Sequence, residues 1–131
     1  MGPRERRRGY AHAVDRPGIL AAAHRVADEV LFPAAIRTDS SALVPLESLD
    51  ALAEAGLYGI VGPPEAGGLG ADFGTLCDVV EILAGACLAT AFIWVQHHSA
   101  VRAVAATETP GLAARFLEPL CRGRLRAGVA L

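Results

Sequence analysis

Apolar residues recur at helical spacing along much of the chain. Ile19, Ala23, Val26, Ala27, Val30 and Ala34 follow i, i+4, i+7, i+8, i+11 and i+15, which is one helical face. Asp15 stands where an N-cap belongs, and Pro17 falls in the first turn. Pro33 comes late in the pattern and is expected to kink or end the helix. Residues 37–44, with Asp39, Ser40 and Ser41, read as a polar linker. A second helix is predicted from about Pro45, with Leu46, Leu49, Leu52 and Ala53 on its inner face. Gly56 suits the position just past its end, where Leu57 can supply the apolar contact of a Schellman stop.

Residues 57–72 hold two prolines and five glycines, so no regular element is expected there. Helical spacing resumes at Asp72 and runs to about Ala106. Leu76, Val79, Val80, Leu83 and Cys87 share a face, with Glu81 opposed. Beyond that the stretch is apolar all round, which predicts burial on most sides, and a break between Gly85 and Thr90 would divide it into two helices. Thr107–Gly111 is a turn. Leu112, Phe116 and Leu120 mark a short helix that Pro119 weakens near its end. Residues 124–131 partly alternate, like the start of a strand, yet no second strand is available to pair with it. The expected architecture is therefore all-α, a helical bundle with an unpaired strand-like C-terminal end. Its expected parts are a disordered basic tail (1–14), a helical domain (15–123) and the start of a further β domain (124–131).

Composition agrees with helices. Ala occurs 26 times, whereas aromatic residues make up 5% of the chain, too few for a typical sandwich or barrel. All 12 basic residues are Arg. The absence of Lys excludes a Walker A loop and a pyridoxal Schiff base. A net charge of −2 is no footprint for a general nucleic-acid binder. The Arg4–Arg8 run alone would suit an anionic partner; a solvated leader is the plainer reading. Cysteines stand at 77, 87 and 121, an odd number without a CxxC pair. That argues against a disulfide framework and a zinc knuckle, and suggests reduced thiols in a cytoplasmic protein. No apolar segment follows the basic start, so a secretory signal is not expected. The most apolar run, Ile82–Val95, has 14 residues against the roughly 20 needed to span a bilayer.

His97-His98 is the first candidate for chemistry. Adjacent helix positions point about 100° apart, so the pair cannot easily ligate one metal, and HExxH spacing is absent. The expected arrangement is one histidine packed and the other at a surface or interface. No Ser lies in GxSxG and no Cys-His pairing is visible. Glu47, Asp50 and Glu54 read as a solvated face, and Glu81 as a helix-surface or ion-paired group. Gly67-Gly68-Leu69-Gly70 is not a dinucleotide fingerprint, because no strand precedes it and GxGxxG is not met. The residues alone describe a helical domain and no reaction.

The order of short segments resembles a known family. Val30-Leu31-Phe32-Pro33 with Asp39 and Pro45 is similar to the first helix and linker of the acyl-CoA dehydrogenase N-terminal domain. Leu52–Ile60 resembles its "elGl-gi" segment, and Pro64–Gly70 its "PeeyGGlG" turn with Ala66 for the tyrosine. Glu81-Ile82-Leu83-Ala84 resembles "EelA", Ala89-Thr90-Ala91 the "sta" break, and Phe116–Leu120 with Gly123 "yLp-l--G". The resemblance covers about residues 18–131.

The resemblance implies a three-part protein, with this helical domain, a middle β domain and a C-terminal four-helix domain. It implies FAD held mainly between the latter two, so not bound by this chain alone. The implied reaction is α,β-dehydrogenation of an acyl-CoA thioester, in which a glutamate removes a proton and the flavin takes a hydride. The domain bearing that base has no counterpart here, so no catalytic residue carries over. Part of an acyl pocket does: Ile93 and Gln96 resemble its lining, with Trp94 or His97 as neighbours. Trp94 and the histidines are untypical of fatty acyl-CoA members. They leave room for flavin-dependent monooxygenase relatives and for steroid or aromatic acyl groups. Acyl-CoA and the missing domains, or a chain supplying them, are the implied partners. The complete protein would be an oligomer. A non-enzymatic helical subunit that completes a flavoprotein is the alternative.

Overall fold

The Asp15 carboxylate accepts the Gly18 backbone N–H at 3.0 Å and so starts the first helix where the sequence placed it. The computed structural model describes residues 14–130; the tail expected at 1–14 lies outside them except for Val14, as does Leu131. Among the described residues every regular element is helical. The α-helices are α1 (Arg16–Val26), α2 (Phe32–Asp39), α3 (Leu46–Glu54), α4 (Phe73–Ala86), α5 (Leu88–Ala105) and α6 (Leu112–Cys121). Two short 3-10 turns, Leu57–Gly59 and Pro64–Ala66, lie in the glycine- and proline-rich crossing.

Pro33 does not end the helix. Residues Ala27–Leu31 widen into a π turn, and the Phe32 N–H reaches back to the Ala27 carbonyl. Helical backbone then continues as α2 to Asp39, so the linker begins later than expected. A π turn carries one residue more than an α turn and displaces the following face by one position. Ile19, Ala23, Val26 and Ala27 are buried as the spacing predicts. At the end of the π turn and beyond it the stripe passes to Leu31 and Thr38, while Val30 is only half-buried and Phe32 and Ile36 face outward.

α3 also departs from its pattern. Leu46 is 67% exposed, and Ser48 with Leu52 forms the buried edge. Leu46 opens the helix just after the Pro45 cap and belongs to its exposed first turn. Gly56 adopts the left-handed conformation (φ +75°) that stops α3, and Leu57 beyond it is fully buried.

The Asp72 carboxylate caps α4 by accepting the Thr75 N–H at 2.8 Å. The expected break falls at Cys87, whose extended backbone (φ −156°) separates α4 from α5. α4 packs against both α1 and α5, and α5 packs in turn against α6. Leu31, Leu52, Leu57, Ile60, Val79, Leu83 and Trp94 fill the space between them without exposure. Each aliphatic side chain so buried contributes about 1.5–3 kcal/mol. A second cluster of Val101, Leu117, Leu120 and Cys121 holds α6 to α5.

Burial of α5 on most sides is corrected by the structure. Leu88, Phe92 and Ile93 are 71%, 64% and 43% exposed. α2, α3, α4, α6 and the crossing all pack against α5, yet these three residues stay open.

Candidate functional site

α5 has one covered side and one open side, and apolar residues occur on both. Phe92, Ile93 and Gln96 lie toward solvent, whereas Trp94, His97 and His98 are buried. Of the residues resembling an acyl-pocket lining, Ile93 is open, Gln96 is half-buried, and Trp94 and His97 are in the interior. The structure brings all four onto two turns of one helix, but only Ile93 and Gln96 face outward. Gln96 has its amide engaged at both ends. Its Nε2 donates to the Phe92 carbonyl (3.2 Å), and its Oε1 accepts the Val129 N–H (3.3 Å).

Both histidines are buried, at 1% and 2% exposure, which corrects the expectation that one would reach a surface. Although they point apart, α5 is enclosed in both directions at this turn. His97 faces Tyr58 edge-on, with ring centroids 4.8 Å apart, and His98 meets Trp94 at 4.3 Å. The His97 tautomer follows from its partners. The Ala127 N–H can only donate, so Nδ1 at 3.2 Å accepts and carries no proton. Nε2 therefore carries the proton and donates to the Leu120 carbonyl at 3.0 Å. Burial pushes the His97 pKa below its ordinary value, against the raising effect of its bond to Leu120. Among the described residues His98 has no hydrogen-bond partner on either nitrogen, and desolvation drives its pKa to about 3. Both rings are thus neutral at pH 7.

Residues beyond the expected set complete this cluster. Arg126 pairs with Asp50 on α3 and lies over the Tyr58 ring at 5.3 Å. Burial raises the Tyr58 pKa. The Leu120 carbonyl, at the end of α6, also accepts the Gly123 N–H. Nothing in the local sequence marks these groups, because His97 and Ala127 are 30 residues apart and meet only through the α5–α6 packing.

The glycine-rich turn bears on whether this chain could hold the phosphates of the FAD that the resemblance implies. It cannot do so there. The N–H groups of Gly67, Gly68, Leu69, Gly70 and Ala71 all donate to backbone carbonyls, of Pro64, Pro63, Gly59, Gly62 and Ile60. A phosphate cradle needs free N–H groups. Glu81 is exposed on α4, with no salt bridge among the described residues. The main surface grooves lie elsewhere; one runs past Ala35, Ile36, Leu88 and Ala89, beside the open side of α5. No described helix is long and apolar enough to cross a membrane.

Comparison with known proteins matches residues 16–124 to the family described as "Acyl-CoA dehydrogenase, N-terminal domain". The chain is also similar to a 3-sulfinopropanoyl-CoA desulfinase of Paraburkholderia xenovorans (strain LB400), with 39% identity over 74 residues. That alignment takes in 56% of this chain and 19% of the relative, so the chain spans about a fifth of the relative's length.

Proposed function

The chain belongs to the acyl-CoA dehydrogenase family through its N-terminal domain, and from that premise we propose that it is the helical part of an FAD-dependent oxidoreductase acting on an acyl-CoA thioester. The observation that carries this reading is the family match over residues 16–124. In it, Ile93 and Gln96 line one wall of the acyl site, and the exposed Leu88 and Phe92 extend the apolar surface. Trp94 and His97 support that wall from beneath. An apolar wall with few polar groups suits an acyl chain. FAD, the base and the rest of the pocket belong to a β domain and a C-terminal helical domain, on a longer chain or a partner chain. The glycine turn, with its N–H groups occupied, supports placing the flavin there. The 124–131 segment is the lead into that β domain: Ala127 and Val129 both turn their N–H groups to α5, the i, i+2 pattern of a strand. The three unpaired thiols support a reducing, cytoplasmic setting. The complete protein is an oligomer.

The similarity to a desulfinase favours a second reading, in which the flavoprotein processes a CoA thioester by a route other than dehydrogenation. The substrate class is shared, and the assay below separates the outcomes.

The test is the intact mass and visible spectrum of the polypeptide purified from its own cell. A mass well above 13.6 kDa, or a stable partner, together with bound flavin supports the proposal. A flavin-free 13.6 kDa monomer without a partner overturns it. The purified chain, given FAD, acyl-CoA and an electron acceptor, should oxidise nothing by itself. In the complete protein, acyl-CoA oxidation supports a dehydrogenase, and turnover of a 3-sulfinoacyl-CoA without oxidation supports the second reading.

A further inference from the structure

We propose that His97 is a positioning residue whose neutral imidazole clamps the 124–130 segment to α5, and that protonation of Nδ1 releases this segment at Ala127. The inference is independent of the reaction proposed above.

Two hydrogen bonds define the clamp. Nε2–H donates to the Leu120 carbonyl at the end of α6, and Nδ1 accepts from the Ala127 N–H. An imidazolium has two donors and no acceptor. Protonation leaves the Leu120 bond intact but sets Nδ1–H against the Ala127 N–H, donor against donor. The α6 end should therefore stay in place while the following segment loosens.

Burial and the nearby Arg126 oppose a charge on His97, against the backbone groups of Leu120 and Tyr58, which favour it. On α5 itself lies His98, with ring centroids 5.6 Å away. From the 3-10 turn comes the Tyr58 ring, edge-on, its phenol kept protonated by burial. α6 presents the Leu120 carbonyl and then the buried Cys121, whose thiol burial also keeps protonated. The segment itself brings Arg126, the residue before Ala127. Asp50 of α3 is the carboxylate of this cluster, and it is bound to Arg126. No anion is thus free to stabilise the imidazolium among these groups. The neighbouring bond, from the Val129 N–H to Gln96 Oε1, does not titrate and serves as an internal reference.

The experiment uses the 15N-labelled chain. Long-range proton–nitrogen spectra at pH 7.5 should show His97 as the Nε2–H tautomer. Amide exchange, corrected for intrinsic rates, should then be followed from pH 7.5 to 5. Protection at Ala127 should fall about tenfold or more as the His97 ring titrates. Val129 should lose less, and Val79 and Trp94 in the core should keep theirs. His97→Gln retains a donor and an acceptor without a titration, and should hold Ala127 protection at low pH. An Nδ1–H tautomer, constant protection at Ala127, or loss in step with Val79 overturns the proposal on the unmodified chain alone. Undiminished pH sensitivity of Ala127 in His97→Gln would do so as well.

Discussion

Gly68 lies so close to the Gly62 backbone that a Cβ at Gly68 would collide with the Gly62 Cα, carbonyl carbon and oxygen. The contact closes the crossing between α3 and α4, and the Gly70 N–H to Gly62 carbonyl bond (2.9 Å) fixes it.

Gly68→Ala should therefore destabilise the domain. The obstacle is main chain and cannot rotate away, so an overpacking cost of about 1–3 kcal/mol is expected. Gly85, on the exposed face of α4, has open space where a methyl group would stand, with no atom within 4 Å. Gly85→Ala should stabilise by roughly 0.5–1 kcal/mol, since helical glycine carries an entropic penalty. Urea midpoints for the two variants should move in opposite directions.

The π turn makes a prediction that periodicity alone would reverse. Leu31 is fully buried and Val30 only half-buried. Leu31→Ala should cost about 2–5 kcal/mol by leaving a cavity. Val30→Ala should cost well under half of that. Equal losses in urea melts, or a larger one at Val30, would show that the widened turn is misplaced.

Stability should fall in acid because His98 is buried with no hydrogen-bond partner among the described residues. Its folded pKa, about 3, lies below the unfolded value near 6.5. The unfolded chain therefore binds the extra proton between these two limits, and stability is complete above pH 6.5. It declines as pH falls toward 3, by on the order of 4 kcal/mol from this residue. His97, also lowered, acts in the same direction. His98→Phe should flatten the acid limb of thermal midpoint against pH, and an unchanged slope would remove His98 from the account.

The open side of α5 offers a test of the acyl-wall reading. Ile93 is 43% exposed, so Ile93→Glu should alter stability by no more than about 0.5 kcal/mol. In the complete protein it should weaken acyl-CoA binding tenfold or more, measured by calorimetric titration. Unchanged affinity would take Ile93 out of the acyl site.

Much of the fold is legible along the chain because its signals are local. Asp15 and Asp72 announce helix starts by side chains that reach their own next turn. Gly56 announces a stop by a backbone conformation other residues resist. The order of short segments is equally readable and leads to the family.

Less is legible in the candidate site. Ile93, Trp94, Gln96 and His97 stand out as neighbours on a helix, but periodicity cannot tell which side of α5 is covered. That depends on where α4 and α6 lie. Likewise the π turn shifts the buried stripe by one residue, which a fixed 3.6-residue spacing cannot anticipate.

The helices, their caps, the irregular glycine crossing and the family are written in the order of residues, since each rests on positions close together along the chain. Packing in three dimensions settles the rest: which histidine nitrogen carries the proton, which side of α5 is open, and that Ala127 and Val129 dock on it. Those outcomes depend on groups that the chain separates and only the fold unites, and a hydrogen bond acts over about 3 Å of space whatever the distance along the chain.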